Sequence, residues 1–164
     1  MVITLYLLFC MLAVLWYDST RYIIPNWLTG SMLVLYPVAV WLAPDAINWQ
    51  HALLGMLGVF AIGYIAFAKG WMGGGDIKLI VVCSLWTGLK GLPDFVMFFA
   101  ILGGLLSIAL YVGRKIVPYA KLKTVPRIFQ DKQPVPYGIA IAIAFLLMMK
   151  MGQVPSIAGY SLGL

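Results

Sequence analysis

The sequence predicts an all-α, polytopic membrane protein: a bundle of about six transmembrane helices with its N-terminus outside. Three observations carry that expectation. Hydrophobic residues make up 63% of the 164 and charged residues 10%, with a mean hydropathy of +1.00, whereas a soluble domain is about half apolar and a quarter charged. The apolar residues gather in runs parted by short breaks of Gly, Pro and charge. The basic residues crowd into alternate breaks. At this length one helical bundle fits, so a single domain over 1–164 is expected.

Residues 1–17 are apolar, with neither the basic n-region nor the small-residue cleavage site of a signal peptide, and read as a retained first span. Asp18 to Asn26 is a polar break closed by Pro25-Asn26, a turn dipeptide. Trp27 to Ala43 is the second span, and Gly30 and Pro37 are tolerable inside it because neighbouring helices satisfy the freed backbone groups. Pro44 to Gln50 is a loop with Asp45 as an ordinary turn acid. His51 to Ala68 is the third span, carrying Gly55, Gly58 and Gly63, small residues that permit close packing in lipid. Lys69 to Asp76 is a glycine run.

Ile77 to Leu89 is a fourth span of only about 20 Å, against a hydrocarbon core of about 30 Å. Either the bilayer is thin there or the glycine run dips below the headgroups. Gly88 to Pro93 reads as a turn and Asp94 as a helix cap. Phe95 to Val112 is the fifth span, residues 113–136 are a basic, proline-broken loop, and Tyr137 to Met149 is the sixth span. The tail from Lys150 to Leu164 carries no clear assignment.

Orientation follows from the breaks after the first, third and fifth spans, which hold nine of the eleven basic residues; Lys90 and Lys150 alone fall on the other side. The crowded side is cytoplasmic by the positive-inside rule. Asp18 and Asp76 then lie on the same side of the membrane. A net charge of +6 fits orientation and anionic lipid near the 113–136 loop, at about 1 kcal/mol per basic residue close to the surface. No aromatic-interleaved basic patch suggests nucleic acid. Cys10 and Cys83 are each inside an apolar run without the C-x-x-C partner of a zinc or redox site, and read as packing residues. His51 is the lone histidine, reads as interfacial, and leaves no Ser/His/Asp, Cys/His or His-rich metal set.

The chemistry falls to acids in a chain with five Asp and no Glu. Acidic side chains at a membrane boundary are costly, so their presence argues for function. Asp76 follows Gly73-Gly74-Gly75, glycines that let an extended chain approach without Cβ clashes. Two nearby carboxylates do not both ionise comfortably, so one holds a proton. The ionised one can activate water against a peptide carbonyl, and the neutral one can polarise that carbonyl and protonate the leaving amine. No metal or cofactor is needed. On chain order alone, Asp76 begins a helix and Asp18 ends one, so the helix dipoles assign the charge to Asp76 and the proton to Asp18.

Gly73-Gly74-Gly75-Asp76 fits the G-x-G-D pattern of intramembrane aspartyl proteases. Asp18 with Arg21 and Ile24-Pro25-Asn26, Lys78 after the motif, and Pro136-Tyr137-Gly138-Ile139-Ala140 opening the last span narrow the likeness. Together they resemble the type IV prepilin peptidases, from about Leu12 to Phe145. The resemblance implies a bacterial inner-membrane aspartic endopeptidase that removes the basic leader of type IV or Flp prepilins and pseudopilins at the cytoplasmic face. Asp18 and Asp76 match its catalytic pair and Gly73 and Gly75 its motif glycines; Asn26, Lys78 and Pro136–Gly138 receive no role. The chain is similar to the compact, tight-adherence (Flp) branch, without the cytoplasmic insert tied to N-methyl transfer, so methyl transfer is not expected. The competing readings are a small proton-coupled transporter or membrane assembly subunit, which calls for mid-span acids and like halves, and a scaffold whose basic 114–132 loop docks a partner or anionic lipid.

Overall fold

A computed structural model describes residues 2–44, 47–116 and 135–154. The described residues are all-α with no strand: α1 (Val2–Arg21), α2 (Asn26–Leu42), α3 (Trp49–Ala68), α4 (Gly74–Ile116) and α5 (Tyr137–Lys150). Helices α1, α3 and α4 are long and apolar enough to cross a membrane; α2 and α5 are shorter apolar helices. This is a membrane protein, and its surface agrees with lipid as solvent. Trp16, Trp27 and Trp71 are exposed toward one end of the bundle and Trp41 and Trp49 toward the other, as in the aromatic belts of membrane interfaces.

Each helix ends for a local reason. α1 outruns its expected end: Asp18 belongs to its last full turn, and the Ser19 and Thr20 hydroxyls donate back to the Trp16 carbonyl at 3.1 and 2.6 Å. Side chains that normally break helices here return their hydroxyls to the helix itself. Tyr22 stops it in the left-handed region at φ 56°, and the Pro25 ring excludes a helical neighbour before α2 begins. Asn48 caps α3, its side-chain oxygen accepting from the His51 N–H at 3.2 Å. At the other end of α3 Gly70 takes φ +69°, so the Trp71 N–H can turn back to the Ala66 carbonyl at 2.9 Å.

α4 differs most from expectation. A turn over Gly88–Pro93 was predicted between two spans, with Asp94 capping the second. Instead helical geometry fails only at Gly88 (φ 66°, ψ 173°), and the remainder of 89–93 is helical. A straight helix of 43 residues would run about 65 Å. Contacts on either side of Gly88 show that the chain doubles back. Ahead of it, Trp86 lies beside Met32 and Tyr36 of α2. Beyond it, Gly91 meets Met148, Phe95 meets Phe145 edge to face at 6.4 Å, and Gly103 meets Tyr137 and Ala140. The second half of α4 therefore runs antiparallel to α5. Asp94 caps nothing; its carboxylate accepts from Gln153 Nε2 at 2.9 Å and ties the chain after α5 to this corner.

The core lies where α4 meets the other helices, around Leu7, Met11, Leu28, Met32, Trp86 and Phe145. Cys10 and Cys83 are buried free thiols within it, as packing residues should be. Trp86 is fully buried and its Nε1–H donates to the Met32 carbonyl at 3.1 Å. Trp86→Phe deletes that donor and leaves a void, for an expected loss of about 1–3 kcal/mol. Thermal unfolding in detergent measures it.

Candidate active site

Asp18 is 4% exposed and faces the beginning of α5. Its Oδ2 accepts a hydrogen bond from the Ile139 N–H at 3.0 Å. Ile139 is the third residue of α5, in the first turn, where backbone N–H groups have no partner four residues back; its N–H also reaches the Pro136 carbonyl at 3.3 Å. The Gly138 N–H also faces the Asp18 carboxylate. A Cβ on Gly138 would sit 2.7 Å from Asp18 Oδ2 and 2.9 Å from Ile24 Cδ1, so only glycine lets the first helix and the last meet this closely.

Asp76 is half-buried in the first turn of α4. The Ile77 N–H closes that turn on the Gly73 carbonyl at 3.2 Å. A side chain at Gly73 would come within 3.1 Å of Asp76 Oδ2, while one at Gly75 would meet Ile24 Cβ at an ordinary 3.5 Å. Of the two motif glycines, Gly73 keeps room for the carboxylate and Gly75 packs without crowding. The Gly73 and Gly138 N–H groups both face Asp76. Gly138 thus serves both acids.

These groups line one cavity of about 870 Å³, walled by Asp18 and Tyr22–Asn26, by Gly70–Asp76 and Lys78, and by residues 135–137. Lys78 Nζ donates to Asn26 Oδ1 at 3.0 Å, joining the start of α2 to the start of α4 at the rim. The structure brings together Asp18, Asp76, Gly73, Gly75, Asn26, Lys78 and the Pro136–Gly138 run. It leaves His51 and Asp94 elsewhere, His51 exposed in the first turn of α3 beside a separate cavity and Asp94 at the α4 corner. Asp45 and the basic residues Lys121, Lys123, Arg127 and Lys132 lie outside the described residues. Among the described residues no cluster of His, Cys, Asp or Glu is arranged to hold a metal.

Chain order places Asp18 at a helix C-terminus, which disfavours an anion, but the N-terminus of α5 is aimed at the same carboxylate. Both acids sit at helix N-termini, where N–H groups and dipole favour negative charge. The dipoles therefore do not decide which acid keeps the proton. A signal for this was present in the sequence: Pro136 opens an apolar run, and the residues after such a proline begin a helix with unused donors.

Two carboxylates thus face one cavity and one N–H. Comparison with known proteins adds an independent finding: the model of the type IV leader peptidase family matches residues 5–108, a stretch that holds both acids and stops ahead of Gly138. No curated relative and no solved structure matches the chain.

Proposed function

The chain belongs to the type IV leader peptidase family, a family of proteases, and from that premise we propose that it is an aspartic endopeptidase that removes the leader of type IV or Flp prepilins at the cytoplasmic face of the bacterial inner membrane. The observation that carries this reading is the convergence of Asp18 and Asp76, from different helices, on one cavity rimmed by backbone N–H donors. A scissile bond seated there has one carboxylate to deprotonate the attacking water and one carboxylic acid to polarise the carbonyl and protonate the departing nitrogen. Gly73 leaves room there for the Asp76 carboxylate. Co-expression with prepilins from the same genome tests the proposal. The expected result is a mobility shift from loss of the leader; unshifted prepilins beside a well-expressed chain would count against it.

The proposal includes six crossings with the N-terminus outside. Support comes from the reversal at Gly88, which splits α4 into two antiparallel stretches, and from Arg21, Lys69 and Lys78 clustering toward the cavity end of the bundle. Cysteine-accessibility labelling should place residues 19–25, 70–75 and 114–135 in the cytoplasm and residue 45 outside. A glycine run labelled from outside would separate Asp76 from leaders held in the cytoplasm and defeat the pairing.

A further inference from the structure

Around the bundle α2 packs on α1, α1 on α5, α5 on α4 and α4 on α3. Between α3 and α2 the ring does not close: among the described residues both rest on α4 without packing along each other. α3 rests on α4 where Gly63 meets Ile77 and Gly55 meets Leu89. α2 rests on α4 through Asn26 to Lys78 and Met32 to Trp86. The result is a seam with α4 as its floor. Toward the ends of these helices away from the candidate active site it widens into an apolar cavity of about 400 Å³ bounded by Leu33, Pro37 and Val40 of α2, Leu53 and Met56 of α3, and Leu85 beneath. At one end the seam runs into the candidate active site, whose wall includes Asn26 at the start of α2 and Gly74 at the start of α4.

We infer that this seam seats the apolar, membrane-embedded segment of the substrate that adjoins the scissile bond, while the polar leader occupies the cavity beyond Asp76. The inference rests on the peptidase reading and adds the route by which a membrane-held substrate reaches the acids. A bond cut by carboxylates at the end of membrane helices belongs to a chain that lies along those helices, and the other helix pairs around the ring are in contact. Neither wall carries Lys, Arg, Asp or Glu, so a basic leader finds no partner in the seam, whereas an apolar helix packs there with its own backbone bonds intact. From Asn26 to Val40 the wall is about 20 Å long, enough for several turns of such a helix. Polarity thus changes from seam to cavity near Asp76, which fits a substrate whose polarity changes at the bond to be cut.

Photocrosslinking in native membranes decides between the substrate and a lipid chain as occupant. The probe is a prepilin that the unmodified chain cleaves in co-expression, presented to the Asp18→Asn chain so that it remains intact. With p-benzoylphenylalanine at Leu33 or Leu53, the expected product is a crosslink to the prepilin's apolar segment. The same group at Ile23, in the cavity wall, should capture the leader, and at Ile108, exposed on the second half of α4, nothing. Capture of phospholipid alone from Leu33 and Leu53 would overturn the inference, as would silence there while Ile23 captures the leader, or capture from Ile108 as strong as from the seam. Failure of the unmodified chain to cleave any prepilin would be a separate result, removing the peptidase reading and the inference together.

Discussion

Asparagine at either Asp18 or Asp76 should lower prepilin cleavage by about 10²–10⁴-fold, the range that a positioned acid or base contributes. Asparagine keeps the shape and a hydrogen-bonding group but transfers no proton. The two acids face one cavity and share the Gly138 N–H, so they should behave as one device. The double variant Asp18→Asn/Asp76→Asn should then be hardly slower than the worse single variant, because groups acting as a unit are strongly non-additive. Initial rates of leader removal in proteoliposomes measure this. Independent, multiplying losses would mean that the two carboxylates act in different steps or different places.

Gly138→Ala should be the most damaging change outside the acids. Its Cβ would lie 2.7 Å from Asp18 Oδ2 and 2.9 Å from Ile24 Cδ1, too close for either to remain in place. If α5 or the carboxylate moves by about 1 Å, a loss near 10²-fold in turnover is expected, with an overpacking cost of about 1–3 kcal/mol in stability. Gly58→Ala is the control, since nothing lies within 4 Å of a Cβ there. It should leave cleavage and unfolding temperature close to those of the unmodified chain. Equal damage from both substitutions would mean that glycine matters for general helix packing and not for the place of Asp18.

The all-α character and most of the helix positions could be read from the sequence because lipid forces long apolar runs into helices. The second, third and last expected spans coincide with α2, α3 and α5 within two residues at each end. That Asp18 and Asp76 line one cavity could be anticipated from the distribution of basic residues, which places both acids on one side of the expected membrane. Three features could not. The helix continues through Asp18, Ser19 and Thr20, because hydroxyl back-bonding to Trp16 depends on geometry that composition does not reveal. The corner at Gly88 is a single left-handed residue where a six-residue turn was expected, since glycine and proline mark a bend without setting its length. The contact of Gly138 with Asp18 joins the first helix to the last, and a tertiary contact of that kind leaves no local pattern.

The most direct measurement of the central claim is mass analysis of a prepilin incubated with the purified chain in liposomes containing a chelator. The account predicts two products, the basic leader and the remainder, cut at one bond on the cytoplasmic side, with neither product formed by the Asp18→Asn or the Asp76→Asn chain. A cut that persists in either folded variant, or that the chelator abolishes, would contradict it.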